Sequence, residues 1–388
     1  MIDNQLQRCV NIADVRALAR QRLPGPIFDF IEGGSEDEIT KNRNVNAFHQ
    51  YEFVPRILRN VEAVDASTHV LGCNISYPLV LAPTGLTRMY HPDGELAVAR
   101  AASKAGVMYG LSTFSNFSLE DVARACPGPK LFQCYLLRDN GLNAETIQRA
   151  KQAGYDALCL TVDNVIPTVR ERDLRAGLAP GRRPTFRTML ALARHPRWML
   201  RQRKFFADQL PNIAGHMKSA EGTTGDTFLL DAVRRDITWR DAEYIRKMWS
   251  GPFAIKGVIS PDDVKTAVEI GASAVIVCNH GGTSLDGLPA SISMIQEIVE
   301  AVGDRIEVIQ SGGIRRGTSI VKAKALGANA VMTGRPYLYG LAAAGEEGVT
   351  HVINLLRQEV ERCLGLCGCS CMSELDASFI RSRICCAS

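Results

Sequence analysis

Two stretches of this chain have the composition of anion-binding loops. Ser-Gly-Gly-Ile-Arg-Arg-Gly at 311–317 puts Ser311, Gly312, Gly313 and Arg315 together, and Thr-Gly-Arg-Pro at 333–336 supplies Gly334 and Arg335. Glycine lets backbone N–H groups come close to a phosphate, and a guanidinium adds charge and a planar fork of donors. Ordinary turns with solvated arginines are the competing explanation. Lys256 closes an apolar run, where an ammonium would stabilise a ring that gains negative charge, such as a reduced flavin, or would pair with a neighbouring carboxylate. Other apolar runs also finish on hydrogen-bonding groups: Pro83, Thr84 and Gly85, then Ser112, Gln133 with Tyr135, Asp163, and Asn279-His280. Core packing alone gives no reason for that convergence.

The elements that must position these residues repeat. Eight β-rich runs are expected at Leu79–Gly85, Tyr109–Thr113, Leu131–Tyr135, Ala157–Asp163, Phe253–Val258, Ala274–His280, Ile306–Gly313 and Ala330–Pro336. Amphipathic stretches such as 94–105, 144–153 and 262–270 separate them with helical spacing. Strand and helix alternating eight times predict an α/β fold, a (β/α)8 TIM barrel, whose chemistry gathers at the carboxyl ends of the strands. Both glycine loops then follow strands seven and eight, where such barrels hold phosphate. A single domain is expected over 1–388, with a helical extension at 1–78 and a long, mobile, basic insertion at 175–235 between strands four and five. A two-domain dinucleotide-binding protein is the alternative, but no GxGxxG follows an early strand.

Composition narrows the setting. The 388 residues are 46% hydrophobic and 22% charged with a net charge of +4, so no chain-wide basic field for nucleic acid exists. Twelve cysteines scattered over so long a chain, without an opening signal segment, lead us to expect a reducing, cytoplasmic environment. No apolar run reaches the roughly 20 residues needed to span a bilayer.

The motifs taken together resemble the FMN-dependent α-hydroxy-acid oxidases and dehydrogenases, the family of glycolate oxidase, L-lactate dehydrogenase and mandelate dehydrogenase. The resemblance runs nearly the whole length. It is carried by Leu-Pro-Gly-Pro-Ile-Phe-Asp-Phe at 23–30, Asn-Ala-Phe at 46–48, Pro-Arg-Ile-Leu at 55–58, Ala-Pro-Thr-Gly at 82–85 and His-Pro-Asp-Gly-Glu at 91–95. Phe-Gln-Cys-Tyr at 132–135, Leu-Thr-Val-Asp at 160–163, Lys-Gly-Val at 256–258, Asn-His-Gly-Gly at 279–282 and Gly-Arg-Pro at 334–336 complete it. It implies FMN as cofactor, His280 as base with Asp163 as its partner, Tyr135 near the substrate oxygen and Arg170 beside the substrate carboxylate. Lys256 would face the flavin N1 and O2 side. Pro83, Thr84, Gly85, Ser112, Gln133 and Thr161 would line the ring, and the glycine loops would take the phosphate. Imidazole suits the base because it titrates near neutrality, and a carboxylate on its second nitrogen fixes the tautomer. Asp163 as a plain capping or turn residue is the alternative. Relatives are often tetramers, which implies a homo-oligomer.

Departures from the family pattern bear on substrate choice. Thr283, followed by Ser284, stands where the family has the arginine that clamps the substrate carboxylate, and Phe30 replaces the tyrosine that bonds the same group. Each lost charge-assisted bond costs on the order of 1.5 to 3 kcal/mol. Ser311 replaces an aspartate near the ribityl chain, Cys278 replaces a serine, and Phe114 occupies a position often held by a bulky aromatic lid residue. The expected substrate is therefore larger, aromatic or peptide-derived, and turnover of glycolate or lactate is expected to be poor. Oxidation of a C–N bond in an amine or modified peptide is the alternative chemistry, and a non-catalytic flavin-binding protein the alternative class. Arg-Glu-Arg-Asp-Leu at 170–174 resembles the mandelate branch. Oxygen, a quinone or a cytochrome could each serve as electron acceptor.

Residues 182–204 carry eight Lys or Arg and no acid, interleaved with Phe186, Met189, Leu190, Leu192, Trp198, Met199 and Leu200. Such a segment suits the surface of an anionic membrane, giving a peripheral protein on its inner face, or else forms a solvated loop over the site. Cys363, Cys367, Cys369 and Cys371 lack paired CxxC spacing, so a metal site is not expected. Cys385-Cys386-Ala387-Ser388 has the form of a prenylation box, a match short enough to arise by chance.

Overall fold

The computed structural model describes residues 4–178, 184–202, 210–213 and 232–383. Eight parallel strands close into a barrel: β1 (Leu79–Leu81), β2 (Met108–Ser112), β3 (Lys130–Cys134), β4 (Ala157–Thr161), β5 (Phe253–Val258), β6 (Ala274–Val277), β7 (Glu307–Ser311) and β8 (Ala330–Thr333). Each strand pairs with its sequence neighbours, and β8 closes on β1 through Met332 opposite Val80. All eight expected runs are present. Seven end earlier than expected, because the polar residues at their carboxyl ends leave the ladder to form the mouth, and β5 ends at Val258 as expected.

The helices on the outside are α1 (Gly94–Ala105), α2 (Leu119–Ala125), α3 (Asn140–Gln152), α4 (Trp239–Met248), α5 (Pro261–Glu269), α6 (Ile295–Val302), α7 (Gly317–Ala325) and α8 (Arg335–Cys367). Their boundaries follow local chemistry. Ser118 and Asp139 cap α2 and α3 by accepting the N–H of Asp121 and Leu142, and Gly106 ends α1 in the left-handed region at φ +66.

Strand periodicity divides the core in two. Val80, Met108, Leu131, Cys159, Ala254, Ile276, Ile309 and Met332 point into the barrel, whereas Leu79, Tyr109, Phe132, Leu158, Phe253, Val275 and Val308 face the helices. A short hairpin, Thr68–Val70 with Cys73–Ile75, belongs to the inner cluster through Val70, Leu71 and Ile75. The N-terminal extension contributes helices Ile12–Arg22, Gly25–Glu32 and Ile39–Asn46. The last lies against the loop after β6 and is capped from it, Asp286 accepting the N–H groups of Ile39 and Thr40.

Between β4 and α4, helices Phe186–Ala193 and Pro196–Arg201 are ordered parts of the expected insertion. Trp198, expected on a membrane-facing surface, is instead buried, its indole N–H donating to Met89 O at 3.1 Å, and Leu192 packs on the core. Those two residues anchor the segment, Trp198 beside the loop after β1. Residues 179–183, 203–209 and 214–231 of the insertion, among them Arg182, Arg183, Arg203 and Lys204, and the terminal Cys385–Ser388 lie outside the described residues.

Candidate active site

Strand parity puts polar side chains on the last inward rung of the barrel. Two residues beyond Leu131, Cys159, Ala254, Ile276 and Ile309 come Gln133, Thr161, Lys256, Cys278 and Ser311, and Ser112 ends β2 in the same phase. All six are buried. Gln133 Nε2 and Thr161 Oγ1 have no partner among the described residues, although burying an unpaired donor costs about 1 to 3 kcal/mol. Two orphaned groups on adjacent strand ends, beside a buried ammonium, fit the polar edge of an isoalloxazine. Gly85 approaches the Phe114 carbonyl too closely for any side chain, since a Cβ there would lie 2.8 Å from its oxygen. Thr84 and Ala82 are fixed from behind by the Tyr337 hydroxyl, which donates to Ala82 O at 2.6 Å.

His280 stands just beyond β6 in a left-handed turn, with φ of +53, +66 and +79 for His280, Gly281 and Gly282. The turn is held by what surrounds it. Gly282 O accepts Ser35 N–H, the Thr283 hydroxyl donates to His280 O at 2.7 Å, and a Cβ on Gly282 would meet Lys41 N at 2.4 Å. The ring reaches Asp163, with Nδ1 2.9 Å from Oδ1, and its Nε2 lies 3.5 Å from the Tyr135 hydroxyl. That contact assigns the proton to Nδ1, donated to Asp163, and leaves the Nε2 lone pair facing the mouth.

Lys256 Nζ lies 3.4 Å from the same Nδ1. Two donors cannot bond each other, so the ammonium acts there as a charge opposite Asp163. Burial opposes ionisation of Asp163, but His280 and Lys256 together hold its carboxyl below the usual range. Burial likewise works against the Lys256 ammonium, and the neighbouring carboxylate helps keep it charged. The two alternatives for Lys256 thus overlap, because it ends on the inward rung and feels the charge of Asp163 without bonding it directly. Burial pushes the Tyr135 phenol up to about 12, so it remains a neutral O–H.

Gly257 makes this packing possible. It has φ +105 at a register shift in β5, and a Cβ on it would lie 2.4 Å from Asp163. A glycine inside a strand run is the sequence sign of such a bulge. Ser284 was weighed only as part of a missing arginine motif; its hydroxyl donates to Asp163 O.

The loops after β7 and β8 sit at the mouth as expected, with Gly312 at φ +112 and Gly313 at φ +78. Arg315 is half-buried and bonds Ile314 O. The half-buried Arg335 donates to the carbonyls of Ile31, Gly281 and Gly33 at 3.0, 2.8 and 2.8 Å, tying the extension to the His280 turn. Burial lowers it to about 10, still charged at neutrality. Three of its five N–H groups are bonded to main chain among the described residues, and one on each terminal nitrogen is left over.

On the substrate side, Arg170 Nη2 donates to Phe30 O at 2.6 Å, its guanidinium carbon lies 4.6 Å from the Phe30 ring centroid, and Nε is 3.1 Å from Asp173 Oδ2. The expected carboxylate partner is thus turned toward Phe30 and neutralised by an acid. Thr283 turns its hydroxyl back to the main chain and offers no charge. Phe114 stacks on Tyr135 at 5.2 Å, and the two join Leu86, Leu137, Leu210, Ile213 and Val233 in an apolar cluster. Leu210, Ile213 and Val233 come from the insertion, which sequence spacing alone did not connect to the mouth.

A closed parallel barrel with a carboxylate-held imidazole and a buried ammonium at its mouth, and two glycine loops after its last strands, defines a barrel oxidoreductase built around a phosphate-bearing ring cofactor. A family model described as FMN-dependent dehydrogenase matches residues 19–382. Glycolate oxidase 3 of Arabidopsis thaliana is 38% identical over 96% of this chain and 96% of its own length. The crystal structure of the monotopic membrane protein (S)-mandelate dehydrogenase superposes with a TM-score of 0.90 at 35% identity, covering 97% of this chain and all of that one. A mandelate oxidase structure gives a TM-score of 0.83 at 37% identity over 96% of this chain and 98% of that one. The chain belongs to the FMN-dependent dehydrogenase family, and its chemistry is FMN-dependent oxidation of an α-hydroxy acid.

Proposed function

We propose that this enzyme oxidises α-hydroxy acids with a bulky apolar side chain, and that His280 Nε2 is the base. One observation carries the assignment: the imidazole is clamped by Asp163 on one nitrogen and presents the other to the mouth beside Tyr135. Bound FMN supplies the acceptor for the two electrons released from the substrate carbon. The residues do the rest. His280 takes the proton, Asp163 stabilises the imidazolium so formed, and Tyr135 orients the substrate oxygen through its neutral hydroxyl. Gln133, Thr161 and Lys256 hold the ring's polar edge, Lys256 matching the negative charge that develops there. Gly312, Gly313 and Gly334, with Arg315 and Arg335 as the charges, seat the phosphate.

Arg170 is the remaining guanidinium for a substrate carboxylate, and Asp173 offsets it. Binding energy must then come from the Phe114, Leu86 and Leu137 side of the pocket, which favours an aryl or branched side chain over a hydrogen or methyl group. Anaerobic flavin reduction by a panel of glycolate, L-lactate, (S)-mandelate and larger aryl hydroxy acids tests this. Preference for the aryl acids is expected. Glycolate or lactate reducing the flavin as efficiently as mandelate would refute it, and reduction by an amine alone would establish C–N chemistry instead.

The described part of the insertion supports peripheral membrane contact. Phe186, Met189, Leu190, Met199 and Leu200 are exposed among Arg187, Arg194, Arg197 and Arg201, while Trp198 anchors the segment from inside. No described helix is long and apolar enough to cross a membrane.

A further inference from the structure

Asn44 lies outside the barrel, at the end of helix Ile39–Asn46, yet its side chain is 2% exposed. It forms a reciprocal amide pair with Asn279: Asn44 Nδ2 donates to Asn279 Oδ1 at 2.8 Å, and Asn279 Nδ2 donates back at 2.9 Å. Asn279 spends its second amide hydrogen on Pro289 O at 2.9 Å, so its plane is fixed on both sides. The next residue is His280, whose positive φ is a conformation a side chain adopts only when its surroundings impose it.

The same residue touches the other loop. A Cβ on Gly313 would lie 2.0 Å from the Asn44 carbonyl oxygen, so the loop after β7 lies directly on the Asn44 backbone. Asn44 Oδ1 also accepts the Ser291 N–H at 3.3 Å, and the Ser291 hydroxyl donates to Ser311 O at 2.7 Å and accepts from Gln310 Nε2 at 2.8 Å. Asn44, Asn279, Ser291, Gln310 and Ser311 are all buried. One amide is therefore bonded to the turn that carries the base and packed against the loop that seats the phosphate.

We propose that Asn44 is a positioning residue that locks the His280 turn and the Gly312–Gly313 loop in one register, so that seating FMN and aiming the base are a single event. This rests on the reading of His280 as base. Replacing Asn44 with Ala frees Asn279 to rotate and removes a packing partner from the phosphate loop; Asn44→Asp keeps the shape and both acceptor contacts but sets a carboxylate against Asn279 Oδ1.

The test compares wild type, N44A, N44D, N279A and N44A/N279A. It measures FMN affinity by reconstitution of the apoprotein, kcat and KM with the panel substrate that reduces the flavin best, and the pH profile of kcat/KM. For N44A and N44D we expect kcat to fall on the order of 10- to 100-fold with KM nearly unchanged, since a misplacement of about 1 Å costs that much. FMN affinity is expected to fall about 10-fold in the same variants, with a shifted pH profile, and the double variant should be no worse than the poorer single one, as expected for residues acting as a unit. N44D, being isosteric, keeps the test readable if N44A fails to fold. Variants that lose only thermal stability, keeping wild-type kcat per bound FMN, FMN affinity and pH profile, would overturn the proposal, as would additive losses. His280→Gln serves as the control: its retaining full turnover would sink the base assignment itself, whereas an inactive H280Q beside unaffected Asn44 variants sinks only this inference.

Discussion

Replacing Asp163 with Asn removes one charge and little else. The Asn side chain keeps the ring in place, and with its carbonyl toward His280 Nδ1 the main change is the field at the imidazole; the amide turned the other way would set the wrong tautomer and add to the loss. With Nδ1 2.9 Å from Oδ1, the two charge centres are about 4 Å apart, and at an effective dielectric near 20 their attraction is about 4 kcal/mol. Each 1.36 kcal/mol is tenfold in rate, so losing that stabilisation of the imidazolium lowers flavin reduction about a thousandfold. Lys256, 3.4 Å from Nδ1, then faces the nascent cation without its counter-charge, which pushes the loss further in the same direction. The assay is anaerobic stopped-flow bleaching of the bound flavin with the best substrate, after the visible spectrum has shown that D163N retains FMN. A loss of less than about tenfold, or 1.4 kcal/mol, would refute the argument that Asp163 acts by stabilising charge on His280.

Thr283→Arg reintroduces a cation where the hydroxyl now turns inward, and is expected to lower KM for L-lactate about 10- to 100-fold, the equivalent of one charge-assisted bond; steady-state kinetics decide it. Gly257→Ala places a methyl group 2.4 Å from Asp163 at φ +105, so a soluble protein with at least about 100-fold weaker turnover is expected, read as kcat per bound FMN. Asp163 has a depressed folded pKa, so its stabilisation is present above the ordinary carboxylate value near 4 and is lost as pH falls through the folded value. The thermal stability gap between wild type and D163N, measured from neutral to acid, should therefore close below about pH 4. Phe186→Ser with Leu200→Ser should abolish flotation with anionic vesicles while leaving turnover of a soluble substrate intact, and salt should weaken the wild-type interaction.

Much of the frame was legible because it depends on short-range pattern. Eight apolar runs with amphipathic stretches between most of them point to a parallel barrel, since strands that bury both faces must be covered by the helices between them. The parity of residues along each strand then commits Gln133, Thr161 and Lys256 to the inside whatever the details of packing. Residue types at the strand ends, together with the family motifs, named His280 and Asp163, and Thr283 and Phe30 marked a changed pocket.

Tertiary structure decided what depends on partners distant in sequence. Asn44 and Asn279 are separated by 235 positions, and neither carries a local sign of the other. Nothing in the glycine loop around Arg335 tells that its guanidinium also reaches the carbonyls of Ile31 and Gly33, and Trp198 reads as a membrane residue until Met89 accepts its N–H. Donor geometry and burial are set by which chain segments meet. Sequence periodicity specifies which face a side chain occupies, and only the folded chain specifies what waits there.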